Sequence, residues 1–130
     1  MIILAIKTDV ADAELYLFVD NKQQAAYAWP AGRHLAETLL SRIDEFLNRE
    51  HLRINDLGGI AVYSGPGSFT GLRIGHSVAN ALAYGLHIPI VGRTGNDWAR
   101  QAVRQLETGA NDHLSMPVYG SPVHITKPRK

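Results

Sequence analysis

The sequence lacks cysteine altogether, which excludes disulfide frameworks, thiolate nucleophiles and the cysteine-ligated zinc and iron–sulfur sites. It also lacks a charge excess. Thirteen lysines and arginines against twelve aspartates and glutamates leave a net charge of +1, unlike a basic nucleic-acid wrapper or an acidic tail protein. The apolar run at the N-terminus ends at Ile6, before Lys7, too early for a signal-peptide core or a membrane span. We therefore expect a cytoplasmic protein with no membrane partner.

The composition that remains is that of an ordinary globular domain. Hydrophobic residues make up 45% of the 130 positions and charged residues 19%, which argues against global disorder. A chain of this length buries roughly 65–70% of its unfolded surface, enough for one hydrophobic core.

The hydrophobic pattern predicts three strands, followed by helices that alternate with strands. Short turns join the first three strands, which favours an antiparallel meander. Later segments repeat their apolar residues at helical spacing. The predicted order is β-β-β-α-β-α-β-α, an α/β domain over residues 1–109 followed by an extended basic tail over residues 110–130. The predicted elements are strands Ile2–Ile6, 15–19, Gln23–Trp29, 60–63 and Ile88–Val91, and helices from about 35 to 47, 72 to 84 and 98 to 106.

A glycine-rich turn, residues 64–71, lies between the fourth strand and the second helix. Backbone N–H groups at a helix N-terminus bind anions, so the candidate cofactor-binding residues are Gly65, Gly67, Ser68 and Thr70. No Gly-Lys-Ser/Thr follows at phosphate-loop spacing, and the dinucleotide fingerprint fails by one residue. The alternative is a tight turn followed by a helix that packs closely at Gly71 and Gly75.

The run from Gly65 to Gly75 (Gly-Pro-Gly-Ser-Phe-Thr-Gly-Leu-Arg-Ile-Gly) resembles the signature of the TsaB (YeaZ) family of bacterial tRNA threonylcarbamoyladenosine biosynthesis proteins. Residues 3–8 resemble that family's opening strand, residues 33–35 and 43–45 its first helix, and residues 83–92 the strand that follows. The resemblance covers residues 1 to about 106. It implies one lobe of the actin/Hsp70 (ribonuclease H-like) fold, which agrees with the element order predicted from periodicity.

The resemblance implies a non-catalytic scaffold that pairs with the related TsaD subunit, which transfers a threonylcarbamoyl group to adenosine 37 of tRNA (t6A). A TsaE-like ATPase would complete the complex, and tRNA would be reached through it. We expect a homodimer in isolation, no cofactor on the chain alone, and ATP or ADP as candidates in the complex. The alternatives are a small nucleotide-dependent transferase or hydrolase of the same fold, and a stand-alone homodimeric module.

Two departures from the family pattern shape these expectations. Family members usually have two lobes, and we expect a single lobe here, which would offer a nucleotide only one wall. The family's opening strand usually carries an aspartate where Lys7 stands. In active members of the superfamily a carboxylate there serves the nucleotide's metal and phosphates, and lysine cannot ligate Mg²⁺.

Other catalytic chemistry is sparse. The six histidines show no ligand spacing on one helix face, and His34 is interpreted as a surface residue at a helix start. Ser64, Ser68 and Thr70 have no nearby histidine and aspartate in an order that suggests nucleophile activation. We predict no catalytic residue and no metal ligand. The basic end, Lys127–Lys130, is more simply a soluble terminus than an RNA contact.

The second predicted helix supplies the physical argument for a partner. Gly71, Gly75 and Ala79 recur every four residues and form a smooth strip that lets another helix come close. A parallel apolar strip consists of Ile74, Val78 and Leu82. Because the sheet needs only one strip as cover, we predict that these six residues form a partner interface. The alternative is that both strips are buried within the chain.

Overall fold

The computed structural model describes residues 1–118. The chain folds into five strands and three helices in the predicted order. Short 3-10 turns at Gly32–His34 and Ile54–Asp56 flank the first helix. The elements are β1 Ile2–Lys7, β2 Asp12–Val19, β3 Lys22–Pro30, α1 Leu35–Arg49, β4 Gly59–Tyr63, α2 Phe69–Leu86, β5 Ile90–Arg93 and α3 Trp98–Glu107.

The strands form one mixed sheet in the order β3-β2-β1-β4-β5. The predicted antiparallel meander is confirmed, since β2 pairs antiparallel with both β1 and β3. Strand β4 then pairs parallel with β1, and β5 parallel with β4. Leu4 lies opposite Leu17 on one side and Ile60 on the other, so the opening strand is central to the sheet.

Helices cover both faces of this sheet, which explains the unbroken apolar run of β1. Leu4 and Ile6 point to the face covered by α1 and α2, where Leu39 and Ile43 are fully buried. The alternate residues Ile3 and Ala5 join the α3 cluster on the other face, which includes Trp98, Ala102, Val103 and Leu106. The helical spacing read from the sequence is therefore the spacing of the buried face of each helix.

Strand β5 begins later than the sequence predicts, at Ile90 rather than Ile88. The end of α2 accounts for the difference, because His87 adopts the left-handed conformation at φ 58° and Ile88 N–H donates to Ala83 O at 3.0 Å. Residues 87 and 88 thus close the helix instead of starting the strand.

Helix α3 ends at Glu107, and Gly109 follows with φ +97°, close to the predicted domain boundary. Residues 110–118 continue without regular secondary structure. The basic end of the predicted tail, Lys127–Lys130, lies outside the described residues. None of the helices within residues 1–118 has the length and apolar character needed to cross a membrane.

Candidate functional site

The glycine-rich loop, residues 64–68, joins β4 to α2 and packs on the segment that follows β1. Ser68 N–H donates to Asp9 O at 2.9 Å, and Thr8 Oγ1 donates to Gly71 O at 2.7 Å. A Cβ atom on Gly67 would overlap Asp9 Cβ, and one on Gly71 would overlap Thr8 O. The glycines are therefore needed for close approach of two backbone segments, as the tight-turn interpretation predicts.

The four candidate cofactor residues lie together at this turn, but the fold already uses the hydrogen-bonding groups of Ser68. Ser68 caps α2, since its side chain accepts from Gly71 N–H at 3.4 Å, and its own N–H is bonded to Asp9 O. Gly65 has φ +114°, and Thr70 is exposed in the first turn of α2. The Asp9 carboxylate beside the loop disfavours an anion. Cofactor binding at Gly65, Gly67, Ser68 and Thr70 stays a prediction.

Lys7, at the end of β1, is held in place by two neighbours. Its Nζ lies 2.6 Å from Asp9 Oδ1 and 4.8 Å from the centre of the Tyr63 ring. The adjoining cavity, of about 480 Å³, also contains Glu14, Tyr16 and Trp98 among its walls. Burial, together with the hydrogen bond to Glu14, raises the pKa of Tyr16 to about 12, so its hydroxyl stays protonated. Two carboxylates against one paired ammonium make this cavity unfavourable for phosphates.

Ser64 and His76 form a buried pair that the sequence analysis did not identify. Ser64 Oγ lies 3.2 Å from His76 Nε2, and His76 Nδ1 lies 2.9 Å from Leu72 O. Both residues are almost inaccessible, with exposed fractions of 4% for Ser64 and 3% for His76. Burial lowers the pKa of His76, which favours the neutral ring. A substrate cannot reach this pair, so in the described fold it is a structural contact.

The predicted interface is wrong at the small-residue strip. Gly75 and Ala79 are buried within this chain, and a Cβ on Gly75 would overlap Thr8 Oγ1. Gly71 meets the backbone of Thr8 in the same way. The strip faces this chain's own sheet because α2 must approach the end of β1 closely. Gly75 and Ala79 are therefore unavailable to a partner helix, and the half-buried Gly71 packs against Thr8.

The apolar strip of α2 lies near the surface, where α2 borders α1. Ile74, Val78 and Leu82 are half-buried and pack on the core cluster below the helices. Ile74 and Val78 also line a groove of about 370 Å³ together with Ala36 of α1. These three residues stay the predicted interface, and α1, which the sequence analysis did not include, forms the other wall.

The exposed side of α2 carries little charge. Arg73 is the one charged residue in the 18-residue sequence of α2. The outward positions at helical spacing include Ser77, Ala81 and Tyr84, and Tyr84 is 84% exposed. Leu40 of α1 is also exposed, one turn after Ala36. We call this surface the α1–α2 face: Ala36, Leu40, Arg73, Ile74, Ser77, Val78, Ala81, Leu82 and Tyr84.

Metal chemistry finds no support in the described part of the chain. No group of three or more histidine, aspartate or glutamate side chains there could hold a metal ion. His34, at the start of α1, is exposed, as the sequence predicts, and its Nδ1 lies 3.1 Å from Glu37 Oε1.

A protein-family model described as "TsaD: tRNA N6-adenosine threonylcarbamoyltransferase" matches residues 29–105, more than half of the chain. The chain belongs to this family. Among curated relatives, TsaB proteins match its longer stretches. Bacillus subtilis TsaB is 33% identical over 124 residues, which cover 92% of this chain and 50% of that protein. Escherichia coli TsaB is 33% identical over 92 residues, covering 71% and 39%.

Solved structures confirm the TsaB resemblance and the fold class. "YeaZ from Pseudomonas aeruginosa" superposes with a TM-score of 0.68 at 25% identity, covering 82% of this chain and 50% of that chain. Thermus thermophilus RuvC superposes with a TM-score of 0.54 at 13% identity, covering 96% and 85%, and shares the ribonuclease H-like fold alone. The chain spans about half or less of the length of the curated TsaB relatives given above.

Proposed function

We propose that this TsaB-like chain is a non-catalytic scaffold subunit in the threonylcarbamoylation of tRNA adenosine 37. It would pair with a TsaD-like subunit, which performs the transfer. The family supports the pathway, because the matching relatives are named tRNA threonylcarbamoyladenosine biosynthesis proteins and tRNA N6-adenosine threonylcarbamoyltransferases. As a subunit acting on tRNA, the chain would work in the cytoplasm.

The α1–α2 face is the observation that carries the pairing. Surface helices of monomeric proteins usually keep charged residues on their outer side, whereas α2 has Arg73 alone. Depletion of charge with exposed aromatic residues is typical of the centre of a protein interface. In the isolated chain we expect two copies to cover this face across a two-fold axis, and in the complex the TsaD-like subunit replaces one copy.

The chemistry of the described residues favours a non-catalytic role. The serine–histidine pair is sealed inside the fold, and Lys7 is bound to Asp9. A TsaE-like ATPase and tRNA would join through the assembled complex, where ATP or ADP would also bind. The test of this function is whether tRNA modification by the other components depends on this chain.

We predict that the isolated chain does not hydrolyse ATP and binds it more weakly than micromolar. The cavity beside Lys7 carries Asp9 and Glu14, and the ammonium of Lys7 is already neutralised by Asp9 at 2.6 Å. A triphosphate would therefore meet net negative charge. Titration calorimetry with ATP and Mg²⁺ measures the affinity, and a micromolar dissociation constant for a monomeric sample would show that the chain has a nucleotide site of its own.

A further inference from the structure

Residues 111–118, which we call the closing strap, cover the outer edge of β5. Asp112 N–H donates to Ile90 O at 2.7 Å. In return, Asn111 Oδ1 accepts from Ile90 N–H at 3.2 Å and Asp112 Oδ2 accepts from Gly92 N–H at 2.9 Å. The strap therefore satisfies backbone groups that an edge strand would otherwise offer to another chain.

The second anchor of the strap is Ser115. The side chain of Asn80 on α2 makes two hydrogen bonds to the Ser115 backbone. It accepts from Ser115 N–H and donates to Ser115 O, both at 2.9 Å. Farther on, Val118 N–H donates to Ser64 O at 2.6 Å. In contrast, Leu114 and Met116 are 61% and 66% exposed. The strap is thus held largely by hydrogen bonds, which water can replace when the strap detaches.

His76 lies directly under this anchor. Ser115 Oγ is 3.4 Å from Ser64 Oγ, which is 3.2 Å from His76 Nε2. Leu72 O can only accept, so Nδ1 carries the proton and Nε2 is the bare acceptor of the Ser64 hydroxyl. A side chain on Gly92 would overlap both serine hydroxyls, so Gly92 allows the two serines to pack closely on β5.

Protonation of the ring would place a charge in this closed space. Within residues 1–118, no ionised side chain bonds to His76. Among the charged groups on the packed elements, Arg93 on β5 and Asp112 on the strap pair with each other at 3.0 Å, and Lys7 on β1 pairs with Asp9. Arg73 on α2 and the titratable His113 on the strap are exposed. Helix α2 and strand β4 are held by the regular backbone hydrogen bonds of the helix and the sheet. Water therefore reaches the charged ring most readily when the strap detaches from β5 and α2.

We propose that residues 111–118 are a detachable strap over the edge of β5, and that protonation of His76 releases it. Release would expose the backbone groups of Ile90 and Gly92 that the strap now satisfies. The inference rests on the contacts of the strap and holds whether or not the chain acts in tRNA modification.

The direction of the pH dependence follows from burial, which lowers the pKa of His76 in the docked state. The released state, with a hydrated ring, binds the proton more readily. Docking is therefore complete above the ordinary histidine pKa and weakens as the pH falls below it toward the lowered value. Over that interval the docking equilibrium changes by at most about tenfold per pH unit.

Amide hydrogen exchange measured residue by residue at about pH 7.5 and about pH 5.5 tests the release. After correction for intrinsic rates, the N–H groups of Asp112, Ser115 and Val118 should lose protection by up to about tenfold, while β1 and the centre of α2 keep theirs. His76→Gln should abolish this response, and His34→Gln, at an exposed position, should leave it unchanged. Protection lost equally in α2 and β4 would overturn the proposal, because it would make His76 an ordinary core residue.

A reciprocal measurement avoids dependence on the folding of the His76 variant. Asn80→Ala removes both hydrogen bonds to Ser115 and should release the strap at neutral pH. Because coupling is mutual, the pKa of His76, followed by the NMR shift of its ring, should then rise toward the ordinary value. An unchanged His76 titration with the strap released would show that the two are uncoupled and would refute the proposal.

Discussion

Replacement of Gly75 by leucine should lower the free energy of unfolding of the monomer by about 3 kcal/mol. A Cβ atom at this position would overlap Thr8 Oγ1, and the added side chain has no free space to enter. Moving Thr8 aside would also break its hydrogen bond to Gly71 O, which is 2.7 Å long. Urea unfolding, at a concentration where wild type and variant are both monomeric, measures the change.

Gly85→Leu is the matched control, because it places the same side chain in the same helix. A Cβ atom on Gly85 would meet nothing within 4 Å, so this variant should be stabilised by up to about 1 kcal/mol through helix propensity. If Gly75→Leu were as stable as wild type, the small-residue strip would not be packed on the sheet, and its role as a partner surface would have to be reconsidered.

Ala81→Arg should weaken association through the α1–α2 face about 100-fold, equivalent to about 3 kcal/mol. Ala81 is exposed between Ser77 and Tyr84, so the monomer has room for an arginine. At a covered interface the same guanidinium would be desolvated without a partner. Analytical ultracentrifugation over a wide concentration range measures both self-association and pairing with the TsaD-like subunit.

Gln101→Arg provides the control for added charge, since Gln101 is exposed on α3 at the opposite face of the sheet. This variant should associate like wild type. Equal association constants for Ala81→Arg and wild type would place the interface elsewhere on the molecule.

The sequence predicts the sheet well because its signals are local. The apolar run of β1 reflects the helices on both faces of the sheet. The turn at Asp20 and Asn21, which have φ values of 50° and 73°, separates β2 from β3. Turn residues and two-residue alternation act within one segment. The order of elements therefore follows from the sequence without knowledge of the tertiary contacts.

The candidate site was harder to predict because its decisive contacts are not local. A glycine every four residues shows that a backbone comes close, but not whether it belongs to a partner or, as at Gly75 and Thr8, to the same chain. Ser64 and His76 are twelve positions apart and meet because a strand end and a buried helix face converge. Leu72, His76 and Ala79 recur at helical spacing on the buried face of α2. This spacing is the sequence signal that could have revealed the pair.

Reconstitution shows whether this chain is a required scaffold for threonylcarbamoylation of tRNA. The TsaD-like subunit, the TsaE-like ATPase and the enzyme that makes threonylcarbamoyl-adenylate, all from the same cell, would be incubated with tRNA, ATP, bicarbonate and labelled threonine. We expect label on tRNA when the chain or its Gln101→Arg variant is added, and little when the chain is omitted or carries Ala81→Arg. Equal labelling with and without the chain would contradict this role.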